Sequence, residues 1–339
     1  MSGKEWFLLR ECSSERHRKI TKVARLTDLT SDPLNPRART PVIIATRSSP
    51  LARWQAEAVA RHLATTDLKI EFLMLTTEGD QNQSRQIQEM AGQGVFVKEV
   101  QRAVLEGRAD VAVHSAKDLM SSPTAGLNLA GFLNRGDARD ALIGASLGQL
   151  AHGATVATGS ARRRAQLAHL RPDLNFVGLR GNIATRVAAV ERDDIDAAVI
   201  ALTALQRLEL TDAVEQILSL EEMVPQVGQG AIAIECRDDD PASIEQLQII
   251  TDDPTKRCVE TERAYLAELG GGCELPVGAH ARLLDGIIQL DAVLASADGA
   301  TVLRFQEQGR DTVALGEAVA QQLLANGGSA LLETSEGNR

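Results

Sequence analysis

The feature that most constrains the fold is an alternation of short apolar runs with helix-like segments, which occurs twice along the chain. The first series covers about residues 42–113 and the second about residues 155–202. Such alternation is typical of open parallel sheets covered by helices, so the sequence predicts two α/β units. The predicted strands are 42–45, 70–75, 110–113, 155–157, 174–179, 197–202 and 231–235, and the predicted helices are 50–64, 96–106, 160–170 and 182–192.

The order of elements changes after about Pro254, which predicts a separate small α+β domain. A helix-like segment runs to Leu269, and three strand-like runs and a last helix follow. The predicted organisation is a disordered N-terminal extension over 1–38, a first domain over 39–134 plus 230–250, a second over 135–229 and a third over 251–339.

Charge and hydropathy exclude several classes of protein. The formal net charge of −10 over 339 residues argues against a general nucleic-acid-binding surface. No apolar run is long enough to span a membrane, and the N-terminal extension lacks the apolar core of a secretion signal. A cytoplasmic location is the default expectation, with plastid targeting by the extension as the minor alternative. The aromatic content of 3% favours a monomer, and the four cysteines lack the CxxC spacing of a metal site.

Polar residues follow the predicted strands at four places. Arg47-Ser48-Ser49 follows the first strand, and His114 to Asp118, Thr158 to Ser160 and Arg180 to Asn182 follow three others. Ligands of open α/β sheets bind outside the carboxyl ends of the strands, so these residues are expected to line one cleft. Helices that begin at Ser49 and Ser160 would add backbone N–H donors for anions.

The segment 158–186 is strongly basic within this acidic chain. Arginine forks match carboxylates and phosphates, so the segment predicts an anion site. The alternative is a solvated helix face, which is our interpretation of Arg164 and Arg171. The basic residues are Arg162, Arg163, Arg164, Arg171, Arg180 and Arg186.

Asp118, beside Lys117 at a predicted strand end, is the candidate catalytic carboxylate. An ionised carboxylate in a cationic cleft could stabilise a cation that develops on a substrate. A local ion pair with Lys117 is the alternative. His114 is interpreted as a structural hydrogen-bonding residue, and Gly228-Gln229-Gly230 as a hinge or crossing strand between domains.

Gly270-Gly271-Gly272-Cys273 places a thiol beside three glycines. The run by itself fits a helix C-cap followed by a buried cysteine. It also fits a loop on which the thiol can be reached and react as a nucleophile.

These motifs together resemble the porphobilinogen deaminase family, also called the hydroxymethylbilane synthases. The matching segments occur in family order across about 42–335. They are 44–52, 96–99, 114–119, 158–163, 179–186, 227–231, 234–237 and 271–276.

The resemblance implies an α/β fold with two periplasmic-binding-protein-like domains and a small C-terminal α+β domain. It implies a transferase of tetrapyrrole biosynthesis with a dipyrromethane cofactor, joined by a thioether to Cys273, and no metal. Four porphobilinogens would be added head to tail with loss of ammonia. Hydrolysis would release the linear tetrapyrrole, which uroporphyrinogen-III synthase would then receive.

The resemblance also implies residue roles. Asp118 would hold the pyrrole N–H groups and stabilise the azafulvene cation left when ammonia departs. The cofactor would be held by Lys117, Asp118, Thr158, Ser160, Arg162, Arg163 and Cys273, and the substrate carboxylates by Arg47, Ser49, Arg180 and Arg186.

The chain departs from the family pattern at a few positions. Glu89 and Gln93 stand on a predicted lid where lysines are common, Gly159 stands where a serine is common, and Met120 where a proline is common. Two rivals remain: a non-catalytic two-lobed anion-binding protein, and a thiol enzyme in which His280, predicted to lie in a strand, would partner Cys273.

Overall fold

The computed structural model describes residues 9–12, 41–65, 68–75, 95–271 and 275–336. Its strands are β1 Leu9–Cys12, β2 Val42–Arg47, β3 Ile70–Leu75, β4 Val111–Ser115, β5 Leu127–Leu133, β6 Asp140–Ile143, β7 Thr155–Ala157, β8 Asn175–Val177, β9 Ala197–Ala201, β10 Val214–Ile217, β11 Ile232–Arg237, β12 Val277–Leu284, β13 Ile287–Ala295 and β14 Val302–Gly309. Its α-helices are α1 Pro50–Ala64, α2 Val95–Leu105, α3 Ala161–Leu170, α4 Ile183–Ala188, α5 Leu202–Arg207, α6 Pro241–Ile249, α7 Asp253–Glu268, α8 Thr312–Leu323 and α9 Ser329–Glu336.

The first sheet has the strand order β1-β3-β2-β4-β11-β5. Strand β2 runs parallel to β3 and β4, as the sequence predicts. Strand β11 runs antiparallel to both β4 and β5, so the expectation of a wholly parallel sheet is wrong. The reason is that β11 enters this sheet from the second one rather than through a covering helix.

The second sheet has the order β10-β6-β9-β7-β8 and is also mixed. Strand β7 pairs in parallel with β8 and β9, whereas β6 is antiparallel to β9. Its central strand β9 is buried along its whole length, as expected for a strand covered on both faces.

The third sheet is an antiparallel β12-β13-β14 meander that packs with α7 and α8 around its own core. Tyr265 of α7 is fully buried and donates its hydroxyl to the carbonyl of Val293, 2.9 Å away. The predicted fold class, two α/β domains followed by a small α+β domain, is confirmed.

Three helices begin directly after the polar residues that the sequence predicts to line the cleft. Ser49, Ser160 and Asn182 are the N-caps of α1, α3 and α4, and each side-chain oxygen accepts a backbone N–H of the first turn. Pro50 occupies the first turn of α1, where its missing N–H costs nothing. Each helix therefore begins where the polar residues after the preceding strand end.

Within the predicted N-terminal extension, β1 pairs in parallel with β3. The rest of 1–38 lies outside the described residues, as do Glu89, Gln93 and Cys273. In the part of the chain that the structure describes, the search for a helix long and apolar enough to cross a membrane found none.

Candidate functional site

The carboxyl ends of β4 and β7 come together beside the third domain. A recess there is lined by Lys117 from the turn after β4 and by Ser160 and Arg162 at the start of α3. Gln226 and Leu275 also line this cavity, which we call the Lys117 recess. Of the four strand ends that the sequence expects to share one cleft, those after β4 and β7 border this cavity together with Leu275 of the C-terminal segment.

A second recess opens on the other side of the turn after β4. Arg47 at the end of β2, Ser49 at the start of α1, and Asp118 line it. Gln55 in the same wall donates a hydrogen bond to Ser115 Oγ over 2.7 Å. Asp118 is exposed to solvent, so its carboxylate can be reached from the cleft.

Arg162 and Arg163 are buried and share one carboxylate, that of Asp140. Arg162 Nη2 lies 2.8 Å from Asp140 Oδ2, and Arg163 Nη2 lies 2.7 Å from Oδ1. Each guanidinium also donates to a backbone carbonyl, of Val224 and Val199 respectively. The sequence analysis expects both arginines to bind the cofactor. In the structure each is also part of the packed interior of the second domain.

Asp140 is fully buried and stays ionised. Burial alone would raise the pKa of its carboxyl, but Arg162 and Arg163 outweigh that effect and hold the pKa well below its usual range. The cluster thus contains the one negative charge of Asp140 and the two positive charges of Arg162 and Arg163. The net charge of this cluster is positive, which favours an anion next to it.

Lys117 connects to this cluster through Gln229. Its ammonium donates to Gln229 Oε1 over 3.3 Å, and Gln229 Nε2 donates to Asp140 Oδ1 over 2.9 Å. Burial, followed by the nearby charge of Arg163, lowers the pKa of Lys117 to about 8. A bound carboxylate would favour the charged amine and so offset both effects. The Lys117 ammonium is therefore suited to bind one.

Arg186 faces the same charges from α4. Its Nε donates to the carbonyl of Gly181 over 2.9 Å. Burial and the neighbouring charge of Arg163 lower the pKa of its guanidinium, whereas Asp118 opposes the shift. Arg180 lies beyond the end of β8 and is exposed. Arg186 and Asp118 are therefore near enough for their charges to interact, whereas Arg180 lines neither recess.

The hydroxyl groups of Thr158 and Ser160 shape the start of α3. Thr158 Oγ1 accepts the backbone N–H of Ser160 over 3.2 Å, and Ser160 Oγ accepts that of Arg163 over 3.4 Å. A hydroxyl that accepts in this way keeps its own hydrogen to donate. Ser160, which lines the Lys117 recess, can donate that hydrogen to an anion.

The third domain holds the two ends of the cysteine loop against this site. Ser121 Oγ donates to the carbonyl of Gly271 over 3.1 Å, and Arg263 Nη2 donates to that of Met120 over 2.8 Å. Leu275 lines the Lys117 recess. Cys273 lies between Gly271 and Leu275, outside the described residues.

A buried carboxylate, Glu262, joins the predicted second and third domains. It binds both terminal nitrogens of Arg135, at 2.6 and 3.1 Å. It also accepts the backbone N–H groups of Gly228 and Ala281. His280 lies in β12, as predicted, with its Nδ1 3.7 Å from Glu262, so this histidine belongs to the buried cluster.

Two other basic residues make structural contacts: Arg164 is exposed on α3, as the sequence interpretation expects, whereas Arg171 is partly buried at the C-cap of α3 and does not lie on a solvated helix face. Arg171 binds Asp173 through two hydrogen bonds of 2.7 Å, and Arg164 lies over the ring of Phe176. Sequence reasoning missed Asp140, Gln229 and Glu262. A run of apolar residues follows Asp140, and that weak signal of a buried strand could have marked it.

Comparisons with known proteins identify one protein family over most of the chain. The family model described as porphobilinogen deaminase, dipyromethane cofactor binding domain, matches residues 42–245, and the model of the C-terminal domain matches 256–325. The porphobilinogen deaminase of Syntrophotalea carbinolica is 40% identical over 298 residues, 85% of this chain and 94% of the relative. That of Trichlorobacter lovleyi is 39% identical over 86% of this chain and 95% of the relative.

Among solved structures, a periplasmic substrate-binding protein from Coxiella burnetii aligns with a TM-score of 0.39 and 16% identity, over 65% of this chain and 94% of that protein. The family models and the two relatives cover both α/β domains and most of the α+β domain. The chain belongs to the porphobilinogen deaminase family.

Proposed function

We propose that this chain is a hydroxymethylbilane synthase, a transferase that joins four porphobilinogens head to tail and releases four ammonia molecules. Membership of the porphobilinogen deaminase family supports this activity. The observation that carries it is one exposed carboxylate, Asp118, set among the cations Lys117, Arg163 and Arg186. Porphobilinogen matches this set because it has two carboxylates and becomes a cation when its ammonia leaves.

Asp118 is the proposed catalytic residue. It stabilises the positive charge that develops on the substrate and accepts hydrogen bonds from pyrrole N–H groups. Its position on an exposed turn, close enough to Arg186 to oppose the lowering of that residue's pKa, fits this role.

The cationic residues divide between primer and substrate. Lys117, Thr158, Ser160, Arg162 and Arg163 are proposed to hold the dipyrromethane, with Cys273 as its thioether tether. Arg47 and Ser49 in the second recess, with Arg180 and Arg186, are proposed to bind substrate carboxylates.

The residues around the Lys117 recess fit a dipyrromethane. The acidic groups of such a primer need cations, and the recess provides Lys117 and Arg162 together with the Ser160 hydroxyl. Leu266 and Leu275 supply apolar contacts for a pyrrole ring. When bound, the group provides the pyrrole carbon to which the first substrate is joined.

The intact mass of the purified full-length protein tests the proposal. We expect an added mass equal to one dipyrromethane in the wild type and none in Cys273→Ser. Cys258→Ala, at a buried cysteine of α7, is the matched control and should keep the added mass. An active wild type without added mass would contradict the proposal. An unmodified and inactive protein that binds porphobilinogen would favour the two-lobed binding protein instead.

We further propose a cytoplasmic monomer without a metal, whose product passes to uroporphyrinogen-III synthase. The low aromatic content of 3% supports the monomer. The domain bounds 39–134 plus 230–250, 135–229 and 251–339 remain a proposal, with which the three sheets agree.

A further inference from the structure

The side chain of Gln229 uses both ends of its amide inside the protein. Its Nε2 donates to the carbonyl of Ala138 over 2.7 Å and to Asp140 Oδ1 over 2.9 Å. Its Oε1 accepts from Lys117 Nζ. Because two acceptors face the nitrogen, the oxygen must face Lys117, and the residue is fully buried. The amide therefore has one orientation.

The backbone at Gln229 is held as firmly as its side chain. The carbonyl of Gln229 accepts from Arg135 Nε over 2.9 Å, and the N–H of Gly228 donates to Glu262. A Cβ at Gly228 would lie 2.9 Å from the carbonyl carbon of Ala116, so the segment packs directly against the Lys117 turn. The segment interpreted as a hinge or crossing strand is thus hydrogen-bonded and packed against the Lys117 turn at this point.

Charges face the Lys117 ammonium from several elements. Asp118 in its own turn and Asp140 in β6 favour the charged amine, whereas Arg163 in α3 and Arg186 in α4 oppose it. Gln229 adds a neutral acceptor between the ammonium and Asp140. Removal of that acceptor takes away one interaction that favours the charged form.

We propose that Gln229 is a positioning residue, which holds the Lys117 ammonium toward the carboxylate subsite and links it to the Asp140–Arg163 pair of the second domain. This role rests on the proposed function, because the carboxylate is that of the primer or growing chain. Gln229 itself touches no reacting atom. It acts through Lys117.

Titration of Lys117 in the full-length protein tests the proposal without an activity assay. The chain has seven lysines, so ¹³C-labelled lysine side chains can be followed by NMR, with Lys117→Arg identifying the signal. We expect Gln229→Met to lower the Lys117 midpoint by about 0.5–1 pH unit, the equivalent of one hydrogen bond of ordinary strength. Gln229→Glu, whose carboxyl Asp140 would hold protonated so that it still donates to Asp140 and accepts from Lys117, should leave the midpoint at that of the wild type.

Gln216→Leu is the control, because Gln216 is a partly buried glutamine with its own hydrogen bonds, to Leu147 and Glu222, at the edge of the second sheet. It should not move the Lys117 midpoint. A midpoint within about 0.2 unit of the wild type in Gln229→Met would overturn the proposal. So would a lowered midpoint in Gln229→Glu, which also decides the question if the Met variant does not fold. If the wild type lacks the dipyrromethane mass but the Gln229 variants show the expected Lys117 midpoints, the proposed function fails and the positioning role of Gln229 stands.

Discussion

Ser121 donates a hydrogen bond from its hydroxyl to the carbonyl of Gly271 over 3.1 Å. Ser121 lies three residues after Asp118, and Gly271 lies two residues before Cys273. One hydrogen bond thus connects the loop with the proposed catalytic carboxylate to the loop with the proposed tether. The third domain thereby contacts the segment that follows Asp118.

Asp118→Ala should remove most of the turnover and leave the fold intact. Asp118 is exposed, so its loss leaves no buried group without a partner. Loss of one group that stabilises charge in a transition state costs about 10²–10³-fold in kcat. Steady-state assays with porphobilinogen measure this effect. Asp212→Ala, at an exposed aspartate in another 3₁₀ turn, is the control and should be fully active. Near-normal turnover of Asp118→Ala would refute the catalytic role.

Arg186→Leu should weaken substrate binding, whereas Arg164→Leu should not. The pKa of Arg186 is shifted by the charges of Arg163 and Asp118, so Arg186 lies near both. Arg164, in contrast, is exposed and lies over the ring of Phe176. A charge-assisted hydrogen bond contributes about 1.5–3 kcal/mol, so KM should rise roughly 10- to 100-fold in Arg186→Leu. Equal KM values for the two variants would remove Arg186 from the substrate site.

The sequence predicted most of the elements near the site because local signals determine them. Ser49 with Pro50, Ser160 and Asn182 each begin a helix through the capping that their residue types favour. The strands before them have apolar runs of the right length. The strand-end position of Asp118 and Lys117 followed from these elements.

The remaining features depend on contacts far apart in sequence. Asp140 opens a strand of four residues, and only the folded chain brings Arg162, Arg163 and Gln229 around it. The antiparallel direction of β11 depends on its entry from the second sheet, for which periodicity gives no signal. The predicted lid substitutions at Glu89 and Gln93 stay predictions.

Gly228→Ala should destabilise the protein more than Gly107→Ala. Both glycines have positive φ, +71° and +66°, so both variants incur the left-handed penalty of about 1–2 kcal/mol. A Cβ at Gly107 meets nothing within 4 Å, but one at Gly228 lies 3.0 Å from the backbone nitrogen of Lys117. Overpacking adds about 1–3 kcal/mol and displaces the Lys117 turn. Urea unfolding and turnover measure the two effects, and similar losses in both variants would show that the contact at Gly228 is unimportant.

Glu262→Gln should lower stability at neutral pH and make it less sensitive to acid. Burial would raise the pKa of Glu262, but the charge of Arg135, followed by the nearby imidazole of His280, lowers it from the ordinary 4.5 to about 2. A carboxyl with a lowered pKa stabilises the folded state above pH 4.5, and this contribution is lost as the pH falls toward 2.

Removal of one partner of a buried ion pair costs about 3–5 kcal/mol, so the urea midpoint of Glu262→Gln should be clearly lower at pH 7. The difference from the wild type should shrink between pH 4.5 and the lowest pH at which the protein stays folded. Glu317→Gln, at an exposed glutamate of α8, is the control and should follow the wild type at every pH. A difference between Glu262→Gln and the wild type that stays constant with pH would mean that Glu262 is not the ionised centre of its buried cluster with Arg135.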